Sequence, residues 1–324
     1  MSTRLSRRSV LAAGGAALAL PGIGAGSAPL ARAQEAAAPP AAIYSRRLGD
    51  AEITAISDGF FELQKDLLLG MPDEIDAALR DAYLDPAAPL VAGVTAHLLR
   101  LGDRTMLIDA GTADLFGPTL GLLPAALAAL GVAPGEVDAV LVTHMHPDHI
   151  GGLLAPDGTP AFPNATLHVS ADDLAFWTDE AIAGRAPEGF RPFFARARTT
   201  ALAYGERVTP FSGSATVAPG IEARALPGHT VGHSGFLVAA GDAPPLLVFG
   251  DAVNVAALQF PHPDVAIAFD TDAELAVKTR KRLLDMAATE RLLLAGTHMP
   301  FPGFGHAARV GDGYAWRPEE WRYG

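Results

Sequence analysis

The segment 143–152 constrains this chain more than any other, because three histidines and one aspartate fall within six positions. His144 and His146 lie two residues apart, so they point the same way on an extended segment. Asp148 and His149 follow a proline, where the chain must turn. Imidazole and carboxylate groups suit Zn²⁺ and similar divalent ions. The first two histidines can therefore bind one ion, and Asp148 with His149 can bind a second. The alternative is a histidine-rich surface loop that binds metals nonspecifically.

Later segments offer the partners that a two-metal site needs. His229 lies in a glycine-flanked Gly-His-Thr turn. Asp251 ends a short apolar run that begins at residue 246, and His298 ends another that begins at residue 292. A buried strand that delivers a ligand at its carboxyl end makes a rigid site. The pattern therefore predicts a binuclear metal centre assembled from segments that are far apart in the chain.

This order of ligands resembles that of the metallo-β-lactamase superfamily: His-x-His-x-Asp-His, then a lone His, an Asp and a late His. The resemblance implies an α/β fold, an αββα sandwich in a single domain, with two divalent metal ions, expected to be Zn²⁺. It also implies a ligand set: His144, His146 and His229 for the first ion, Asp148, His149 and His298 for the second, and Asp251 as the bridge and the catalytic group. Asp109 and His233 are expected to support these ligands from behind.

A closer likeness lies in the segments 115–121, 161–165 and 301–306 together with the Thr-His-Met-His-Pro-Asp-His run. They resemble the branch that contains methyl parathion hydrolase and its lactonase relatives. Members of that branch are exported, bind two metal ions and are often dimeric, which leaves a homodimer open for this chain.

The same branch implies aromatic residues in the substrate pocket. The matching positions are Phe116, Trp177 and Phe194, with Phe193 as the alternative to its neighbour. Asn254 lies three residues beyond the bridging aspartate, where its amide could hydrogen-bond an ester oxygen. Ile267 and Phe269 are expected to form a bulky apolar wall.

The expected activity is hydrolysis of an ester-type bond in a neutral small molecule by a hydroxide shared between two metal ions. Such ions lower the pKa of bound water to about 7. A lactone or an aryl ester is the favoured substrate, and an organophosphate triester is a further one. One alternative is a glyoxalase II-type thioesterase, which would need cationic side chains for the glutathione carboxylates, whereas the chain has only three lysines, Lys65, Lys278 and Lys281. The other is a metal-binding protein without catalysis.

The first 33 residues are typical of a twin-arginine (Tat) signal peptide. Arg7 and Arg8 precede an apolar stretch that is too short to cross a hydrocarbon core of about 30 Å, so no stable membrane anchor is expected. A small-x-small cleavage site follows at residues 31–33. We therefore expect a periplasmic or secreted protein, with a flexible segment at 34–45 and one hydrolase domain at 46–324.

The charge and the cysteine content exclude several classes of function. The chain carries a net charge of −12, and the signal holds four arginines and no acid, so the remaining 36 acids and 20 bases give about −16. Such an acidic surface disfavours binding to phosphate backbones, so no nucleic acid is expected as a partner. The chain has no cysteine, which removes thiol nucleophiles, disulfides and cysteine-ligated zinc.

Hydrophobic periodicity and turn residues predict an order of elements that is β-rich, helical, β-rich and helical again. A hairpin is expected through Gly102 and Asp103, and the strand before the metal loop is expected to be buried. The predicted strands are 52–57, 94–101, 105–108, 137–142, 221–226, 235–238 and 246–249. The predicted helices are 119–130, 171–179, 190–202 and 273–288.

Overall fold

Two seven-stranded sheets face each other, and helices cover their outer faces. The computed structural model describes residues 41–322. The predicted signal peptide lies outside the described residues, as does the first part of the segment predicted to be flexible. The first strand begins at Ile43, so the folded region starts before residue 46, the boundary expected from the sequence.

The strands, in chain order, are β1 (Ile43–Leu48), β2 (Ala51–Leu63), β3 (Leu68–Leu69), β4 (Leu90–Leu101), β5 (Arg104–Ile108), β6 (Ala139–Leu141), β7 (Thr166–Ser170), β8 (Val208–Phe211), β9 (Ala215–Ala218), β10 (Ile221–Ala225), β11 (Ser234–Val238), β12 (Leu246–Val248), β13 (Ala266–Ile267), β14 (Leu293–Ala295), β15 (Phe304–Val310) and β16 (Gly313–Pro318). The helices are α1 (Pro72–Asp81), α2 (Leu123–Ala129), α3 (Pro147–Ile150), α4 (Ala171–Thr178), α5 (Glu180–Arg185), α6 (Arg191–Tyr204), α7 (Ala256–Gln259) and α8 (Ala273–Glu290). None of the helices between residues 41 and 322 has the length and apolar character needed to cross a lipid bilayer.

The first sheet has the strand order β1-β2-β4-β5-β6-β7-β8, and the second has β16-β15-β14-β12-β11-β10-β9. Strands β5 to β8 run parallel to one another, and so do β12 and β14. The other neighbouring strands of both sheets are antiparallel. The expected hairpin is confirmed, since β4 pairs with β5 through the turn at Gly102, whose φ of 62° suits glycine.

Alternation of side chains along the strands separates three apolar layers. Leu98 faces the helices that cover the first sheet, whereas its neighbour Leu99 faces the second sheet. On the second sheet, Leu246 faces inward and Leu247 packs towards α8. Successive residues of a strand point to opposite faces, so a strand of consecutive apolar residues can serve two cores at once. The expected αββα sandwich is confirmed.

Several strands end at the same edge of the sandwich and so deliver polar residues to one place. Because β5 and β6 are parallel, Asp109 and Thr143 follow the ends of neighbouring strands. Because β12 and β14 are parallel, the loops that carry Asp251 and His298 also emerge side by side. His229 lies in the connection between β10 and β11. This edge is therefore where a site can form.

The helix predicted over 119–130 is shorter than the periodicity indicates, since α2 begins at Leu123. Gly121 has a φ of 82°, which a right-handed helix cannot contain. The buried carboxylate of Asp58 accepts a hydrogen bond from the Leu123 N–H at 2.8 Å and two more from Thr112, both at 2.8 Å. Asp58 thus fixes both ends of the loop that joins β5 to α2, and the helix cannot extend back into it.

Replacing Asp58 with alanine should leave buried donors of this loop without an acceptor. We expect the free energy of unfolding to fall on the order of 1–3 kcal/mol, measured by urea denaturation, because each unsatisfied buried group carries its desolvation cost. Asp81→Ala is the matched control, since this exposed acid ends α1. Equal stability of the two variants would contradict this role for Asp58.

Candidate metal centre

Two groups of side chains, all buried except the half-buried Asp148, lie at the shared edge of the sheets. His144, His146 and His229 form the first, and the second, which is the larger, consists of Asp148, His149, Asp251 and His298. Within each group one potential ligand atom per residue lies within 4.8 Å of the others. The structure thus brings together all seven side chains that the ligand pattern singles out.

The Asp251 carboxylate lies between the two groups. Its Oδ2 is 3.4 Å from His229 Nε2 and 3.9 Å from His144 Nε2, both in the first group. The same oxygen is 3.0 Å from His298 Nε2, and Oδ1 is 3.3 Å from His149 Nε2, both in the second group. One carboxylate therefore contacts imidazoles of both groups, which is the geometry a bridging ligand requires.

The residues present fit a pair of divalent cations. The Nε2 atoms of His144, His146 and His149 and Oδ1 of Asp251 are buried and have no hydrogen-bond partner among the described residues. Buried polar atoms without partners are costly, and a coordinated metal would satisfy them. Neutral imidazoles and carboxylates are the ligand types that Zn²⁺ accepts.

The electrostatics of the two groups agree with this fit. Burial, followed by the neighbouring imidazoles, holds the pKa of His144 well below its usual range, so its ring is neutral and its lone pair is free to coordinate. Burial also disfavours a charged His298, but the negative charges of Asp251 and Asp148 outweigh burial and raise the pKa of His298 to about 10. The carboxylates of the second group therefore stabilise positive charge at this place, whether it is carried by a proton or by a metal ion.

Asp109 lies directly behind the ligands. Its Oδ2 accepts hydrogen bonds from His149 Nδ1 at 2.8 Å and from the Thr143 hydroxyl at 2.8 Å, and Oδ1 accepts from the Thr143 N–H at 2.8 Å. The bond to Nδ1 fixes the tautomer of His149 with its Nε2 turned towards Asp251. The structure therefore places Asp109 where a supporting residue is expected.

His233 lies on the other side of Asp251. Its Nδ1 donates to the Leu226 carbonyl at 3.0 Å, and its Nε2 accepts from the Asp251 N–H at 3.0 Å. This pair of bonds requires a neutral ring, and burial lowers the pKa of His233 to about 3. His233 holds the backbone of Asp251 and does not point a free nitrogen at the two groups.

Two supporting aspartates were not anticipated from the sequence. Asp270 accepts from His229 Nδ1 at 2.8 Å. Asp173 accepts from the Met145 N–H at 2.9 Å and from the Gly232 N–H at 2.7 Å, so it joins the two loops that carry the first group. Single aspartates in helices and loops carry no local signal, because most of them are solvated.

A cavity of about 570 Å³ opens onto these residues. Its upper walls are mainly aromatic: the Phe61 and Phe116 rings lie 6.1 Å apart, and Phe193 lies 6.4 Å from Phe116. Near the candidate ligands, the Phe193 ring is 5.6 Å from that of His146. The cavity is lined by Phe60, Phe61, Glu62, Leu63, Gln64, Leu67, Ala92, Phe116, Thr119, His146, Asp148, Phe193, His229, Asp251, Asn254, Ile267, Phe269 and His298.

Two of the aromatic residues expected in this pocket are not in it. Trp177 is 2% exposed and Phe194 is 4% exposed, and both belong to the core between the first sheet and its helices. Phe193, the alternative to Phe194, lines the cavity in its place. The prediction was wrong for Phe194 because α6 buries the face that carries Phe194 and Ala197. It was wrong for Trp177 because this ring, on α4, packs into the core against Phe194, with ring centroids 4.6 Å apart. Trp177 packs against His146 from behind, with ring centroids 5.1 Å apart.

Asn254 lines the cavity as expected, but its amide is already engaged. Its Nδ2 donates to Asp251 Oδ2 at 2.9 Å, and its backbone N–H donates to Gln259 Oε1 at 2.7 Å. Its Oδ1 is buried without a partner among the described residues. The side chain therefore orients the carboxylate between the two groups, and it remains at the cavity surface.

The sequence profile of the metallo-beta-lactamase superfamily matches residues 90–298, so the chain belongs to this superfamily. By its fold and its site, the protein is one of the metal-dependent hydrolases of this superfamily.

Among solved structures, the chain is similar to the hydrolase AbOPH of the beta-lactamase superfamily, with 31% identity and a TM-score of 0.81 over 87% of this chain and 98% of that one. It shares its fold with AidC, described as a dizinc quorum-quenching lactonase, at 23% identity and a TM-score of 0.81 over 87% and 99% of the two chains. Curated relatives match over a smaller part of their length. A ribonuclease of Thermus thermophilus is 33% identical over 187 residues, which are 55% of this chain and 39% of that protein.

The different positions of the aromatic residues predict different effects on stability. Trp177→Ala should lower the free energy of unfolding by about 3–5 kcal/mol, because it leaves a cavity in the core. Phe116→Ala should change it little, since the Phe116 side chain is 51% exposed. Thermal and urea denaturation of both variants measures this difference. A Trp177→Ala protein as stable as Phe116→Ala would contradict the assignment of Trp177 to the core.

Proposed function

We propose that this chain is a binuclear metal-dependent hydrolase that cleaves lactones or aryl esters, with phosphotriesters as further substrates. The observation that carries the proposal is the position of Asp251, whose two oxygens contact imidazoles of both ligand groups. A protein that only stores or binds metal does not need a carboxylate shared by two ion positions. The hydrolase named among the similar structures, at 31% identity, supports the same class of reaction.

Each side chain has a role in this proposal. His144, His146 and His229 hold one ion, Asp148, His149 and His298 hold the other, and Asp251 touches both. We propose Zn²⁺, because imidazole and carboxylate are its common ligands. Two bound ions would supply a Lewis acid for the substrate oxygen and would lower the pKa of the attacking water. Asp251, held by the Asn254 amide at 2.9 Å, is placed to receive and return a proton during the reaction.

The walls of the cavity support a neutral substrate with an apolar group. Among the described residues that line the cavity, none is lysine or arginine. The glutathione thioester of a glyoxalase II-type enzyme would bring carboxylates that find no cationic partner there. Phe116, Phe193 and Phe269 offer apolar faces for an aromatic leaving group or an acyl chain. The site chemistry alone does not separate carbon from phosphorus centres, because both transition states gather negative charge on an oxygen.

The N-terminal sequence supports a proposal for the location in the cell. We propose export by the twin-arginine route, to the periplasm or to the outside of the cell, on the basis of the motif at Arg7 and Arg8. That route carries folded proteins, which suits an enzyme that takes up its metal before export.

The metal content of the purified protein tests the central claim. We expect about two divalent ions per chain by elemental analysis, loss of activity with a chelator, and recovery with Zn²⁺, Co²⁺ or Mn²⁺. Asp251→Ala should lower metal content and reduce turnover by orders of magnitude. His262→Ala is the control, because His262 is exposed and lies outside both ligand groups. Full activity of a metal-free protein would exclude the proposal.

A substrate panel tests the class of ester. Phe116→Ala and Phe193→Ala should lower kcat/KM for an aryl ester by a factor that corresponds to about 1–3 kcal/mol of lost apolar contact, with a much smaller effect on a small aliphatic lactone. Leu202→Ala removes an exposed apolar side chain elsewhere and serves as the control. Kinetics with an aryl ester, a γ-lactone, a dimethyl aryl phosphotriester and a glutathione thioester make the comparison. A preference for the thioester would contradict a neutral substrate.

A further inference from the structure

Asp270 makes two hydrogen bonds that join the candidate metal site to the wall of the cavity. Its side chain is fully buried. One oxygen, Oδ1, accepts from Nδ1 of His229 at 2.8 Å, and the other, Oδ2, accepts from the backbone N–H of Ile267 at 3.0 Å. His229 belongs to the first ligand group and Ile267 lines the cavity. A single carboxylate thus contacts both parts of the site.

Residues 263–270 carry this part of the wall, and the start of this segment is also held by hydrogen bonds. The buried guanidinium of Arg280 donates to the carbonyls of Pro263 at 3.0 Å and Val265 at 2.6 Å. It also donates to the carbonyl of Ala252, the residue after Asp251, at 2.7 Å. The strand of the wall is therefore tied to the loop of Asp251 at its start and to His229 at its end.

Between these two anchors the segment forms the short strand β13, which pairs with β3. The Ala268 N–H donates to the Leu67 carbonyl at 2.8 Å, and Leu67 also lines the cavity. A two-stranded ribbon is marginally stable by itself. Packing of Leu68 and Ile267 in a buried apolar cluster holds the ribbon together with these anchors. The Thr271 N–H also donates to the His229 carbonyl at 2.9 Å, and Asp270 is the anchor whose side chain contacts the His229 ring.

We propose that Asp270 is a positioning residue that couples the metal site to the cavity wall. It keeps the proton of His229 on Nδ1, so that Nε2 can coordinate a metal, and it holds the amide of Ile267 at the same time. His229 would be fixed by a metal ion at Nε2, and Asp270 would pass this order on to the wall through the Ile267 amide. This inference rests on the metal site of the proposed function, and it adds the prediction that wall order follows metal occupancy.

Asp270→Asn is a selective variant, because it removes one of the two hydrogen-bond acceptors and keeps the shape of the side chain. Asp270 offers acceptors to two N–H donors, whereas the amide of Asp270→Asn offers one acceptor oxygen and one NH₂ donor. If the NH₂ group faces Ile267, the Ile267 N–H loses its acceptor. If it faces His229, the Nδ1 proton loses its acceptor, or the ring carries its proton on Nε2, where it blocks metal coordination. Asp270→Ala removes both acceptors. Asp264→Asn is the matched control, because this exposed aspartate lies in the same segment and pairs with Lys281 at 2.5 Å.

The experiment measures metal affinity and amide exchange in the full-length protein, independently of activity. Zn²⁺ is titrated against a competing chelator, and hydrogen–deuterium exchange is followed at residues 266–269. We expect Asp270→Ala to weaken the binding of one of two ions by about 10- to 100-fold, as for other groups that orient a metal ligand. The Ile267 amide should exchange on the order of ten times faster. Removal of Zn²⁺ from the wild-type protein should speed the same amide, and Asp264→Asn should match the wild type.

Wild-type affinity for both ions in Asp270→Ala would overturn the positioning role, and so would an Ile267 amide that exchanges at the same rate with and without Zn²⁺ in the wild-type protein. The second measurement decides the question even if the variants do not fold. A wild-type protein that binds two ions without hydrolysing any ester would refute the proposed activity and leave the role of Asp270 standing. A wild-type protein that binds no metal would overturn both.

Discussion

The carboxylate of Asp251 is the group on which the arrangement of this protein depends. It is buried just after β12, and four imidazoles from three segments of the chain lie 3.0 to 3.9 Å from its oxygens. A buried carboxylate costs several kcal/mol unless positive charge is near it. Burial disfavours charge on His149 and His298, but the aspartates around them outweigh burial and raise the pKa of both rings. The cluster thus favours positive charge beside Asp251, carried by protons on these rings or by metal ions. The sheets, the loops and the supporting hydrogen bonds hold these imidazole nitrogens and carboxylate oxygens together, although they would otherwise repel one another or be hydrated.

The supporting residues share one physical task. Asp109 fixes His149, and Asp270 fixes His229, each through the ring nitrogen that faces away from the ligand groups. His298 is fixed in the same way by the Gly93 carbonyl, which accepts from its Nδ1 at 2.7 Å. Each of these bonds selects one tautomer and removes a rotational freedom from the ring, so it orients the nitrogen that faces the ligand groups. The acceptors come from both halves of the chain, which makes the site a product of the whole sandwich.

The cavity shows where inference from sequence reached its limit. Phe193 and Phe194 are adjacent on α6, about 100° apart around the helix, and either could face a pocket. Docking of the helix decided the matter, because Phe194 enters the core beside Trp177, with ring centroids 4.6 Å apart, and Phe193 is left at the cavity. The roles of Asp270 and Asp173 could not be predicted from the sequence for a related reason. A single acid between ordinary neighbours has no pattern, and its burial is known only when the surrounding elements are packed.

The sequence by itself determined the kind of site and the kind of fold. Histidines two residues apart, a proline turn, and apolar strands that end in a ligand are local patterns, and local patterns follow from backbone geometry and side-chain chemistry. Only the tertiary structure decided which groups support each ligand, which aromatic ring lines the cavity, and where α2 begins. These outcomes depend on contacts between residues that are far apart in the chain, such as Asp270 with His229 and Asp58 with Leu123. The free energy of such contacts depends on the packing of the whole domain, so it cannot be inferred from a short stretch of sequence.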